Sequence, residues 1–235
     1  MFNYYLSPNL SSSYTHQWGG HFFKAMAGYQ MELQEYSEEY MYKDGMLSND
    51  IYSFDNASGN VIAGEARSHW ATMGFYTRLN WNYNNIYFLE FSGRYDGSSR
   101  FAPKYRWGKF PSVAAAWIVS EEDFLRESNI FTFLKLRGGW GKTGNAYVGE
   151  YGWRTLYENA DYENQPATRP SQIGNDRLKW EATEQVDLAL DFGFLPNQRI
   201  SGTLGFYKKK TDGLLYAYTM ALSTGLETTQ INFAN

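Results

Sequence analysis

Hydrophobic and polar positions alternate with a period of two through most of this chain. Between Ile86 and Val119, Tyr87, Leu89, Phe91, Gly93 and Tyr95 fall on one side, and Phe88, Glu90, Ser92, Arg94 and Asp96 on the other. That is strand geometry, because successive side chains leave opposite faces. Val113, Ala115, Trp117 and Val119 continue the apolar side against Ser112, Ala114 and Ala116. Asp96-Gly97 predicts a turn between the two strands.

The same pattern recurs along the chain. Phe23, Ala25, Ala27, Tyr29, Met31 and Leu33 share a side, as do Met73, Phe75, Leu79 and Trp81 further on. Leu134, Leu136 and Trp140 alternate with Lys135, Arg137 and Gly139. Val186, Leu188, Leu190 and Phe192 oppose Gln185, Asp187 and Asp191, and Ile200, Leu204 and Phe206 oppose Ser201, Thr203 and Tyr207. Phe2–Leu6 and Asn9–Trp18 are weaker strand candidates. About eight strands of roughly 10–15 residues are expected, above the usual globular mode. Ser120 is placed to cap a short helical turn, with Glu121 and Glu122 in its first turn.

Connections alternate in length. Those near Gly19-Gly20, Asn84-Asn85 and Pro196 are short; those at Gln34–Gly64, 97–107, Lys142–Lys179 and after Asp212 are long. Short and long connections therefore lie at opposite ends of one antiparallel sheet. Two architectures fit. A soluble sandwich turns its apolar face into a dry core; a transmembrane β-barrel turns it to lipid, with short periplasmic turns and long extracellular loops. Trp81, Tyr83, Trp107, Trp117, Trp140 and Trp180 at strand ends read as core anchors in the first and as interfacial girdles in the second. In the barrel reading Met73, Phe75, Leu79, Leu89, Phe91, Leu188, Leu190, Leu204 and Phe206 face lipid.

Composition narrows the classes. The 235 residues are 19% aromatic, with 20 Tyr and 8 Trp, yet mean hydropathy is −0.55. No apolar run is long enough for a transmembrane helix, a test that a barrel escapes. A net charge of −4 argues against a nucleic-acid partner, and the lack of cysteine removes disulfide and thiol chemistry. No signal peptide is visible after Met1, so an exported chain would be mature or internal.

Catalytic motifs fail on context. Gly141-Lys142-Thr143 has Leu136 where a phosphate loop needs glycine. Asp191-Phe192-Gly193 sits in mid-strand without the other kinase segments. His16, His21 and His69 lack metal-ligand spacing, and no nucleophile elbow occurs. No metal, cofactor or enzyme activity is expected. Binding remains. Tyr147, Tyr151, Trp153 and Tyr157 in the long segment suit sugar recognition, where an aromatic body with a polar tip serves a wet site; loop packing or contact with a partner protein explains them equally. Arg78, Glu90, Arg94, Lys135, Arg137 and Asp187 share the polar side and would line a lumen.

At RYDGSSRF (Arg94–Phe101), RWGKFPSVAAAW (Arg106–Trp117) and SEEDF (Ser120–Phe124), the sequence resembles the SusC/RagA family of TonB-dependent outer-membrane transporters. GFYTRLNWNYNN (Gly74–Asn85), LKLRGGWGKTGN (Leu134–Asn145), LKWEATEQVDLALDFGF (Leu178–Phe194) and ISGTLGFYKKKTDGLL (Ile200–Leu215) are similar to further family segments in the same order. The resemblance implies a 22-stranded, plugged barrel in the cell outer membrane, a SusD-like surface lipoprotein partner, and TonB-powered import of oligosaccharides or peptides. Residues 1–235 are then expected to be part of one β-barrel domain, lacking the plug and the TonB-contacting region. The last residues, Asn232–Asn235, lack the closing aromatic that the family implies. A self-contained eight-stranded outer-membrane barrel and a soluble carbohydrate-binding sandwich are the alternatives.

Overall fold

The computed structural model describes residues 1–48, 50–128 and 130–233. The final Ala234-Asn235, on which part of the chain-end expectation rests, lies outside the described residues.

Among the described residues thirteen strands form: β1 (Phe2–Leu6), β2 (Asn9–Trp18), β3 (His21–Tyr42), β4 (Ile62–Tyr83), β5 (Tyr87–Ser98), β6 (Trp107–Ile118), β7 (Phe131–Asn145), β8 (Leu156–Tyr162), β9 (Gln165–Gln172), β10 (Glu181–Phe194), β11 (Ile200–Asp212), β12 (Leu214–Thr219) and β13 (Thr228–Phe233). Nine make one antiparallel sheet in the order β1-β3-β4-β5-β6-β7-β10-β11, with β2 also on β3. β1 and β2 lie along the same edge of β3, Leu6 opposite Leu33 and Asn9 opposite Gln30. They are one strand interrupted at Ser7-Pro8, because proline has no N–H for the ladder. The Pro8 carbonyl still accepts from the Met31 N–H at 3.0 Å. The sheet thus has eight wall strands, as the periodicity predicts. β8–β9 and β12–β13 are separate hairpins.

The register carries one apolar face across the sheet. Tyr29 pairs with Phe75, Phe75 with Tyr95, Phe91 with Val113, Val113 with Trp140, Trp140 with Val186 and Leu188 with Phe206. Every residue named above for the lipid side falls in this set. Among the described residues no second layer covers them: Phe75 is 53% exposed, Leu89 47% and Phe206 67%. A sandwich would bury this face, so the solvent-soluble alternative fails on packing. The only buried apolar cluster is small and off the wall, where Phe101, Val148 and Leu178 pack with Trp180 and Leu215 among the described residues.

Four local expectations change. Asp96-Gly97 is not a turn: both residues lie inside β5, opposite Gly108 and Trp107. The missing Cβ of Gly97 instead lets the Trp107 ring lie on the backbone, with ring carbons 3.0 Å from where a Cβ would stand. The polar stretch from Gln34 is not all loop, because β3 and β4 stay paired up to Tyr42 opposite Ile62. Hydrogen-bonded pairing extends 22-residue strands through a segment whose sequence is polar on both faces. Likewise Lys142–Lys179 contains the β8–β9 hairpin. Ser120 caps nothing; it lies inside a 3-10 turn, Val119–Glu121, whose N-cap is Ile118.

The short connections at Gly19, Asn84-Asn85 and Pro196–Gln198 lie at one end, with the Val119–Ile130 segment. Asn84 and Asn85 both take positive φ, 51° and 59°, as a tight hairpin turn requires. Tyr87–Ser98 pairs antiparallel with β4, as the short Asn84-Asn85 turn predicts, and with β6, as expected, but without the turn at Asp96-Gly97 on which that expectation rested.

Candidate functional site

The polar face of the wall begins from the same alternation. Arg78 on β4 stands opposite Ser92, beside Glu90 on β5, and the pair closes at 3.6 Å. Arg94 turns along its own strand to Asp96, Nε to Oδ2 at 3.0 Å and Nη2 to Oδ1 at 2.9 Å. Its guanidinium also covers the Tyr76 ring at 5.5 Å, and the Tyr76 hydroxyl donates to Asn9 Oδ1 at 2.9 Å. Arg137 on β7 holds Asp191 on β10 through two contacts of 3.0 and 3.3 Å, and Thr203 on β11 donates to the same carboxylate at 2.8 Å. Paired, planar contacts of this kind orient the guanidinium and shield its charge.

Three of the six predicted polar-face residues, Arg78, Arg94 and Arg137, are thus arginines held by carboxylates, and Glu90 serves Arg78. Lys135 and Asp187 close no salt bridge among the described residues. Lys135 lies over the Phe88 ring at 6.0 Å, and Asp187 hangs over the bare backbone of Gly139. Together with Glu90 and Arg137 they rim an open hollow of about 440 Å³ floored by Ala114 and Ala116. Small residues on β6 and β7 create this hollow, because nothing larger than a methyl rises from the floor. Asp96 and Asp191, read on the polar side from the alternation, were not named among the lumen candidates; their shared parity with Asp187 and Arg94 was the available signal.

The four aromatic candidates separate. Tyr147 and Tyr157 are exposed, at 83% and 67%. Tyr151 is half-buried, and its hydroxyl meets His69 Nδ1 at 2.7 Å and accepts from the His69 N–H at 3.2 Å. The Tyr151 and Arg154 carbonyls both accept from Gln172 Nε2, at 2.8 and 2.9 Å. Trp153 is covered by the guanidinium of Arg154 at 4.5 Å. Tyr151 therefore fastens the outer segment to β4, a pairing across 82 residues that no local pattern announces.

At the opposite end of the wall, Tyr83, Tyr87 and Trp117 stack in a row, with centroids 6.4 and 6.3 Å apart. Glu122 accepts from both the Tyr87 hydroxyl and Trp117 Nε1, the latter at 2.9 Å. The Tyr87 hydrogen bond, then the Trp117 one, holds the Glu122 carboxyl below the usual carboxylate range.

The fold is shared with known proteins. Residues 2–234 match the family model described as TonB dependent receptor-like, beta-barrel. The TonB-dependent receptor SusC of Bacteroides thetaiotaomicron is 34% identical over 236 residues, covering 95% of this chain and 23% of that protein. A TonB-dependent receptor of Formosa agariphila is 34% identical over 188 residues, covering 76% of this chain and 19% of the relative. The RagAB peptide importer in its "closed-closed" state superposes with a TM-score of 0.91 at 25% identity, over 98% of this chain and 26% of that one. The siderophore receptor PirA of Acinetobacter baumannii, 15% identical with a TM-score of 0.59, shares the fold over 98% of this chain and 32% of its own. The chain spans about a fifth of the length of the curated relatives it matches. With that match along nearly its whole length, and one lipid-type face opposite one charged face, the chain belongs to the TonB-dependent receptor β-barrel family.

Proposed function

We propose that residues 1–235 form one section of the wall and outer loops of an outer-membrane importer, a transport protein and not an enzyme. The carrying observation is the pair of faces. Eight strands keep an apolar surface on one side and Arg78, Glu90, Arg94, Lys135, Arg137 and Asp187 on the other, the register shift of β7 against β10 falling at Gly193–Phe194, beyond these residues. Charges toward lipid at mid-bilayer cost about 2–4 kcal/mol each, so the polar face lines the lumen. The outer-membrane location follows the family, whose members are outer-membrane proteins. The remaining strands and the plug belong to other parts of a longer receptor, and the plug is the expected contact of the TonB complex.

Oligosaccharides or peptides are the substrate classes, in keeping with relatives called SusC and a peptide importer. A SusD-like surface lipoprotein is the expected partner at the long-loop end. There the exposed rings of Tyr147 and Tyr157 contact substrate or lipoprotein, while Tyr151 and Trp153 position the segment that carries them. The test is uptake of labelled oligosaccharides and labelled peptides by cells with and without the full-length receptor, with the proton-motive force intact or collapsed. Receptor-dependent, energy-dependent uptake of one class supports the reading and names the class. Equal uptake without the receptor overturns it.

A further inference from the structure

The apolar face has two aromatic levels. One is the Tyr83–Tyr87–Trp117 row at the short-turn end. The other holds Tyr95 and Trp107, stacked at 4.7 Å; Trp140, opposite Val113, lies between the two levels. On β6 the ten residue steps from Trp107 to Trp117, at ~3.3 Å each, run ~33 Å along the strand, and a tilt of ~40° leaves ~25 Å. That is the height of the apolar band of an outer-membrane barrel. Trp107 therefore marks the outer headgroup level.

An open hollow of about 330 Å³ sits at that level. Its lining includes Lys104, Lys109, Lys142 and Lys179, with Trp107 and Trp180 beside them. Lys109 pairs with Tyr95 and Lys142 with Glu184, so both leave the wall on the apolar side, two residues from Trp107 and Trp140 respectively. Lys104 and Lys179 come from the connections above β6 and β10. Lys104 and Lys109 reach the hollow from one side of the β6–β7 seam and Lys142 and Lys179 from the other. Pairing there stops at Ser112–Gly141, one residue from Pro111. None of the four lysines closes a salt bridge among the described residues. Asp212 is the one carboxylate in the hollow's lining and is engaged by Lys210 at 3.1 Å. Glu184, opposite Lys142, is flanked on its other side by Lys210.

We propose that this hollow binds the phosphate groups of an outer-leaflet lipid. Lysine ammoniums are compact point charges on flexible stems, suited to a phosphate that approaches from several angles. Stems starting at the apolar band reach upward to the headgroup layer. Trp107 offers an apolar wall for the lipid's upper chain. Lys109 and Lys142 leave the wall on the apolar side, which commits the site to a lipid and not to a soluble phosphate compound passing through the lumen. The inference rests on the membrane-wall reading above.

The experiment uses the full-length receptor in detergent. Binding of diphosphoryl lipid A, of the same lipid without phosphates, and of inorganic phosphate is measured for the parent and for the combined K104Q, K109Q, K142Q and K179Q variant. Heat-modifiable migration confirms that each is folded. Parent binding of the phosphorylated lipid at least tenfold tighter than the variant, with the dephosphorylated lipid bound equally by both, supports the site. Equal binding of the phosphorylated lipid by both overturns it, as does competition by inorganic phosphate alone at equal potency. Resistance of the parent to carbonate extraction from outer membranes tests the underlying reading separately. An extractable parent sinks both ideas, whereas a resistant parent with no lipid difference sinks only this one.

Discussion

The Tyr151 hydroxyl and His69 Nδ1 lie 2.7 Å apart and join the outer segment to the wall. The same hydroxyl accepts from the His69 backbone N–H. Replacing Tyr151 by Phe removes both contacts and leaves the ring in place. Two hydrogen bonds at a net ~0.5–1.5 kcal/mol each make ~1–3 kcal/mol, so segment 146–179 of the full receptor is expected to open roughly 5- to 150-fold more often. Hydrogen exchange of that segment checks it. Unchanged exchange would show that Gln172 and the buried Leu178 hold the segment without Tyr151.

Gly97 is expected to tolerate no side chain. A methyl there meets three Trp107 ring carbons at 3.0 Å, and the ring has the Tyr95 stack to lose. Gly97→Ala should destabilise the barrel by about 1–3 kcal/mol, the usual cost of overpacking. The midpoint of heat-modifiability in detergent measures it; an unchanged midpoint would mean that Trp107 swings away freely.

The two faces make opposite predictions for a charge. Leu188→Arg, between the two aromatic levels on the apolar side, should cost about 2–4 kcal/mol in a bilayer. Thr203→Arg places the same group beside Asp191 on the polar side, where it finds a carboxylate, and should cost far less. Folding yields into vesicles compare them. Equal losses would refute the assigned facing.

Acid should unfasten the short-turn end. Glu122 has its carboxyl lowered by Tyr87 and Trp117. A group with a depressed folded value contributes stability that is present above its unfolded pKa and lost as pH falls through the folded one. The advantage of the parent over Glu122→Gln is therefore expected to be full at neutral pH and to shrink below the ordinary carboxylate range. A stability gap that stays constant with pH would contradict this.

The eight wall strands by themselves should not yield a closed monomer. Among the described residues the outer edges of β1, β2 and β11 have no partner strand in the sheet, and an open edge is not tolerated in hydrocarbon. Closing eight strands on each other would also leave Gly28, Gly74, Ser92, Ser112, Ala114, Ala116, Gly139 and Gly205 facing a narrow interior that side chains have to fill. Refolding in detergent followed by electrophoresis tests it. A protease-resistant, heat-modifiable monomer of this segment would favour the small-barrel alternative.

The sequence by itself determined the wall. Alternation is local, since each residue's face follows from its neighbour's, so strand number, facing, the β5 pairings and the ends that bear short or long connections were all legible. Its charged candidates lay on the face where the register placed them. What only the tertiary structure decided depends on partners far apart in the chain. Asp96-Gly97 has the composition of a turn, but cross-strand bonds to Gly108 and Trp107 keep it extended. The arms of β3 and β4 carry no regular apolar alternation, and their pairing is backbone hydrogen bonding, which is blind to side-chain type. Tyr151 and His69, Arg137 and Asp191, and the four lysines of the upper hollow come together only because the strands align. Charge and ring type are written in the sequence, whereas the distance between them is set by the sheet.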